Sequence, residues 1–229
     1  MNTQKLKYIA MSFLLIVSLS ITAQETINIP LSEPSKAGEL QMEIVSGSIT
    51  VKGYSGKEVL VKGMVRDSKR KSNTSKNGLK RISVNSLEFS AEEYGNTVIV
   101  SSRAHKTVDF EIQIPKNFSL KLRTVNNGEI YVENVSGVME ISNTNGSITL
   151  QDISGAVSAD ALNRDIKVTF VNVKPDTPMA FSSLNGNIDI TFPKDFKADI
   201  KVKSDRGEIY TDFDLKEKPS KAKVTKNKS

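Results

Sequence analysis

Near-copies of one pattern, repeated about every twenty residues, constrain this chain more than any other feature. They read LKLRTVNNGEIYV, MEISNTNGSITL, VSADALNRDIKV, MAFSSLNGNIDI and DIKVKSDRGEIYT, and lie between Leu120 and Thr211. The shared form is apolar-x-apolar, a polar residue, an Asn next to Gly, then x-Ile-x-apolar. The isoleucine after the turn is Ile130, Ile148, Ile166, Ile188 and Ile209, in steps of 18, 18, 22 and 21 residues. Each copy holds two short runs of alternating apolar residues, which is strand periodicity. A fixed repeat of this length is the mark of a stacked-coil architecture.

Two architectures compete over the turns. Asn and Gly tolerate positive φ, so Asn127-Gly128, Asn145-Gly146 and Asn185-Gly186 are strong turns. Asn-Gly between strands also signals a hairpin, which suggests an antiparallel meander. A meander does not require the same sequence in every copy. A solenoid does, because equivalent side chains stack about 4.8 Å apart. The expected fold is therefore all-β: a single-domain parallel β-solenoid, right-handed β-helix-like, with short coils of about 18–22 residues.

That fold predicts columns. Ile130, Ile148, Ile166, Ile188 and Ile209 form one, and Leu122, Ile141, Ala159, Phe181 and Val202 another. Asn126, Asn145, Asn163 and Asn185 line the corner, where an amide ladder is expected to satisfy buried backbone; turn chemistry explains them without a ligand. The first copy has one residue too many, which predicts a bulge near Asn127. Arg164 stands where Gly is usual, and the last copy has Asp205-Arg206 before Gly207.

The runs NGSITLQDISG, LNGNIDITFP and KSDRGEIYTDFDL resemble the bacterial putative-adhesin family of secreted β-strand-repeat domains, and the resemblance covers Gly38 to Leu215. It implies export and a parallel β-solenoid, with no recognised catalytic residues to carry over. The C-terminus departs from the Gly-rich coils with which such members often continue.

Residues 1–23 read as a signal peptide: Lys5 and Lys7, the apolar run Ile9–Ile21, and the small-residue site Ile21-Thr22-Ala23. A spanning helix needs about 20 apolar residues, so cleavage is expected in place of a retained membrane span. The chain has no cysteine, hence no disulfide and no lipidated cysteine. Residues 24–38 are an extended segment kept out of a helix by Pro30 and Pro34. The β-solenoid, adhesin-like domain is placed at 39–215. It starts early, because Met42-Glu43-Ile44 and Gly47–Val51 echo Met139-Glu140-Ile141 and Gly146–Leu150. A mobile basic loop, 66–81, interrupts it. Further strands are expected at Ile82–Phe89, Thr97–Val100 and Val108–Ile114, and loops at Val171–Pro178 and Phe192–Phe196.

Residues 216–229 form a Lys-rich tail without periodicity, read as disordered. Losing Lys5 and Lys7 takes the formal charge from +6 to +4, and the tail's six lysines and one Glu carry +5, leaving −1 for the body. A nearly neutral body argues against nucleic acid as a partner.

The chain has one histidine, His105, which makes a catalytic triad or His-rich zinc site untenable. No phosphate-binding glycine loop is present. Carboxylates that could serve a glycosidase or calcium are Asp189, Asp205, Glu208, Asp212 and Asp214, with Asp212 and Asp214 on one face if extended. Glu129, Ser147, Asp165, Asn187 and Glu208, each just before a column isoleucine, read as outward, solvated positions. No catalytic, cofactor-binding or metal residue is therefore assigned, and no cofactor is implied.

The expected function is that of a non-catalytic, exported adhesin-like or cell-envelope protein, in the periplasm or at the cell surface, binding a surface glycan or envelope protein by its regular faces. The alternatives are a glycan-acting enzyme on a β-helix and an envelope scaffold that self-associates through an uncovered C-terminal coil.

Overall fold

The computed structural model describes residues 24–66, 89–102, 107–173, 176–214 and 216. The expected signal peptide, most of the basic loop, His105 and nearly all of the tail lie outside them. By compactness the chain divides into two units, Met1–Phe196 and Lys197–Ser229.

The first unit carries fifteen strands among the described residues. They are β1 (Gln24–Pro30), β2 (Glu39–Ser46), β3 (Ile49–Tyr54), β4 (Glu58–Val65), β5 (Phe89–Tyr94), β6 (Thr97–Ser102), β7 (Val108–Pro115) and β8 (Ser119–Asn126). The remainder are β9 (Ile130–Glu133), β10 (Met139–Asn143), β11 (Ile148–Ile153), β12 (Val157–Ala161), β13 (Ile166–Phe170), β14 (Ala180–Ser183) and β15 (Ile188–Thr191).

From β8 onward the chain alternates between two sheets, and strands two apart pair in parallel. One sheet contains β8, β10, β12 and β14, the other β9, β11, β13 and β15. The meander is thereby excluded for 119–191. The register matches the expected columns: Ile130 pairs with Ile148, Ile148 with Ile166, and Ile166 with Ile188. Leu122, Ile141, Ala159 and Phe181 align likewise. Ile130, Ile148 and Ile166 are fully buried between the sheets. Each such side chain contributes roughly 1.5–3 kcal/mol of apolar burial.

Stacking order departs from chain order. β2 and β3 pair in parallel with β8 and β9 on one side, and with β6 and β7 on the other. The early repeat at 39–54 therefore lies inside the stack. Phe110 and Ile49 extend the isoleucine column, and Val100 and Met42 extend the leucine column. This layer was not expected, because the run 97–115 has the right alternation but no Asn-Gly corner.

A uniformly parallel fold is not observed. β4 pairs antiparallel with β7 and β1, and β5 antiparallel with β6. The β5–β6 turn uses Gly95 and Asn96 at φ 56° and 66°, the left-handed geometry of a tight hairpin. Residues 24–38 are thus more than an extended lead: their first half is a strand at a sheet edge. Their second half is pinned to the hairpin, with Glu33 N donating to Asn96 Oδ1 at 2.8 Å and Asn96 Nδ2 returning a bond to Glu33 O at 2.6 Å.

At the other end the ladders stop at β14 and β15. Phe170, Phe192 and Phe196 stack face to face there, with centroids 5.1 and 4.2 Å apart. In the second unit, residues 197–214 contain no strand, so the strand runs expected around Val202 and Ile209 are not formed. Val202 and Ile209 are 56% and 58% exposed. Alternation alone does not make a strand; the backbone needs a hydrogen-bonded neighbour.

Candidate functional site

The coil corners join the two sheets and carry side-chain hydrogen bonds from coil to coil. Seen from outside, the expected amide ladder is present. Asn145 Nδ2 donates to Asn126 Oδ1 at 2.7 Å, Asn163 Nδ2 to Asn145 Oδ1 at 2.8 Å, and Asn185 Nδ2 to Asn163 Oδ1 at 2.9 Å. These side chains are exposed and bond to one another. The task assigned to them, satisfying corner backbone, belongs to a different column.

That inner column is Thr124, Asn143, Ala161 and Ser183, aligned by register. Buried Asn143 donates Nδ2 to Gly128 O at 3.1 Å and to Ser147 O at 3.2 Å, and its Oδ1 accepts from Gly146 N at 2.9 Å. Thr124 Oγ1 donates to Gly47 O at 3.0 Å. Ser183 Oγ donates to Arg164 O and accepts from Gly186 N at 3.0 Å. The available signal was parity. Asn143 falls in step with Met139 and Ile141, so it faces inward, where a polar side chain must find backbone partners.

The corner glycines also differ from expectation. Gly128, Gly146 and Gly186 do not use positive φ. A Cβ on Gly146 would lie 1.7 Å from Gly128 O, and one on Gly128 would lie 1.7 Å from Gly47 O. Glycine is required there because successive coils touch backbone to backbone. The extra residue of the first copy, Asn127, does take a left-handed φ of 55°. The pairing is irregular elsewhere, between Leu150 and Ile153, with Asp152 at φ 55°.

Over Gly128 and Gly146 runs a polar groove of about 590 Å³, lined by Ser48, Arg66, Asn127, Glu129, Asn145, Ser147, Arg164 and Asp165. Arg66, at the end of β4, closes one side. Its Nε donates to Asp109 Oδ2 at 2.8 Å and its Nη2 to Ser48 Oγ at 3.0 Å, while Nη1 reaches Asn127 O. The hydrogen bond with Asp109 holds the guanidinium proton above its ordinary affinity. Asp109 also accepts from Ser48 N at 2.8 Å, so this pair ties β4, β7 and the first corner together.

The expected outward residues are outward. Glu129, Asp165 and Asn187 are exposed, and Ser147 is half-buried. On the strand faces, ion pairs cross neighbouring strands: Lys52 with Glu133 at 3.0 Å, Lys62 with Glu111 at 3.0 Å and Lys121 with Glu140 at 3.4 Å. Lys52 Nζ also stands 5.9 Å above the Tyr131 ring.

Asp189 lies on β15 beside Lys167 of β13. In the second unit Asp205 pairs with Lys203 at 3.2 Å, and Glu208 accepts from the Tyr210 hydroxyl. Asp212 and Asp214 are not in a strand, which removes the premise that they share a strand face. Among the described residues no group of three or more His, Cys, Asp or Glu could hold a metal ion. Among the same residues, no helix is long and apolar enough to cross a membrane.

Two parallel-rich sheets joined by glycine corners, with polar ladders outside and an aliphatic interior, define a coil-repeat β protein. The model of the Toastrack DUF4097 family matches residues 2–229, and the chain belongs to that family. The adhesin-type resemblance carried by NGSITLQDISG and its sister runs agrees with this membership. The chain is also similar to the crystal structure of a putative cell adhesion protein from Clostridium sporogenes. Identity is 12% and the TM-score 0.47, covering 74% of this chain and 95% of that one. No curated protein matches.

Proposed function

We propose that this chain is an exported, non-catalytic, adhesin-like envelope protein of right-handed β-solenoid form that binds through its regular outer surface. The supporting observation is the row of outward polar groups held at one-coil spacing: the asparagine ladder and, beside it, Glu129, Ser147, Asp165 and Asn187. Such a row suits distributed polar contact with a repeating polymer, and a surface glycan of the envelope is the partner it fits. The Lys/Arg-paired strand faces flanking the row are solvated surface. Immobilised protein should retain glycans on an array, or a component of envelope fractions. Retention of nothing from either source overturns the reading.

A second reading, self-association, draws on the end of the ladders. β14 and β15 are terminal strands of their sheets, and Ile188, whose column mates are fully buried, is 42% exposed. Open strand edges invite pairing. Light scattering that finds a strict monomer at every accessible concentration removes it.

A further inference from the structure

We infer that the corner groove is a subsite for an acidic sugar, a hexuronate unit of a glycan, with Arg164 taking its carboxylate. This rests on the reading that the outer surface binds a glycan. The starting point is one corner that breaks the rules kept by its neighbours. Gly128, Gly146 and Gly186 occupy the tight position, where a Cβ would fall 1.7, 1.7 and 2.2 Å from a carbonyl oxygen of the preceding coil. The corresponding residue in the remaining corner is Arg164. The inward position there is Ala161, where the corners of 119–191 otherwise have Thr124, Asn143 and Ser183; the earlier corner, with Ile44 in that column, keeps its glycine, Gly47. The same corner thus abandons both its backbone-capping side chain and its glycine. Repeats depart from their own local rules chiefly where function asks for it.

The groove's charges sort themselves. Arg66 is committed to Asp109, Ser48 and Asn127. Asp165 Oδ1 accepts from Asn187 N at 2.7 Å. Arg164 and Glu129 make no ion pair among the described residues, and both are exposed. The Arg164 guanidinium, without an ion-pair partner among the described residues, and the Glu129 carboxylate, which lies in the field of Arg66, therefore share a groove floored by Gly128 and Gly146, which let a ring come close to the backbone.

A sugar acid matches this set. Its carboxylate accepts two parallel N–H bonds from the guanidinium, and its hydroxyls donate to Glu129 and bond to Asn145 and Ser147. A neutral sugar leaves Arg164 without its ionic partner. A sulfated polymer, with several anionic groups on each ring, places more like charge against Glu129 than the one carboxylate per ring of a polyuronate.

The test is calorimetric titration of the whole chain with trigalacturonate and, separately, with neutral galactotriose. Trigalacturonate should bind and galactotriose should bind at least about tenfold more weakly, the scale of one charged hydrogen-bonded contact. Arg164→Gly installs the residue found in the neighbouring corners, so it should keep the melting temperature while weakening trigalacturonate by about tenfold or more. Arg164→Lys should retain part of the affinity. Equal binding by Arg164→Gly, equal binding of galactotriose, or no binding of trigalacturonate each overturns the site. If the array retains neutral glycans while trigalacturonate fails, this inference falls and the proposed function stands. If neither the array nor the envelope fractions yield anything, the proposed function falls with it.

Discussion

Two neighbouring corners, Asn143–Ser147 and Ala161–Asp165, share the outer asparagine and little else. The first caps its own turn with a buried amide and lays a glycine against the coil before it. The second has a methyl group inside and a guanidinium outside. Yet the strands that follow, β11 and β13, start in register, Ile148 against Ile166 through Leu150 against Val168, and bury both isoleucines equally. The aliphatic columns therefore hold the start of each strand in place even where one corner, at Ala161 and Arg164, departs from the buried amide and glycine of its neighbour.

That comparison can be broken most forcefully in the columns. Ile148→Ala and Ile166→Ala should each lower the unfolding free energy in urea by about 2–5 kcal/mol. The two losses should agree within about 1 kcal/mol; a wider gap would mean that the coils differ in their cores as well as their corners. Next in size is the glycine contact. Gly146→Ala should lose about 1–3 kcal/mol to overpacking against Gly128 O, whereas Arg164→Gly should stay within about 0.5 kcal/mol. Asn143→Ala follows, at about 1–3 kcal/mol, because Gly128 O and Gly146 N lose their buried partner. The outer ladder is worth least: Asn145→Ala should change stability by about 0.5 kcal/mol or less. A loss as large as that of Asn143→Ala would move the structural weight outward.

The antiparallel end offers a control with a pH signature. Backbone N–H donation from Asn96, then bonds from Ser32, hold the Glu93 carboxyl below its ordinary value. Its folded pKa lies under the unfolded one, so the contribution is complete above the unfolded value and fades as pH falls through the folded one. The melting temperature should decline over that acid window, and Glu93→Gln should flatten the decline. An unchanged profile would show the bonds to be thermodynamically silent.

The columns were readable because side-chain parity in a strand is rigid: once Ile130 and Ile148 are equivalent, Leu122 and Ile141 must be as well. The ladder at Asn145 and Asn163 follows from the same equivalence. Three features were not readable. The layer formed by β6 and β7 is inserted out of chain order, and neither Val98 nor Phe110 carries a corner motif that announces it. Arg66 meets Asp109 across 43 residues of sequence, which no local pattern encodes. Residues 199–211 mislead in an instructive way. Gly207 N bonds to Ser204 Oγ at 2.8 Å, as Gly186 N does to Ser183 Oγ at 3.0 Å. The local motif thus forms its turn unaided, while a strand depends on a partner supplied from elsewhere.

The asparagine ladder has a sense as well as a spacing. Every Nδ2 in it points toward the Oδ1 of the preceding coil, so the amide dipoles align head to tail. Asn126 begins the string with an uncommitted N–H and Asn185 ends it with an uncommitted oxygen, among the described residues. A duplicated turn could be spliced in only with its carboxamide facing the same way. An aspartate at Asn163 would set oxygen against oxygen, so the string works as a one-way zipper that rejects a misaligned tooth.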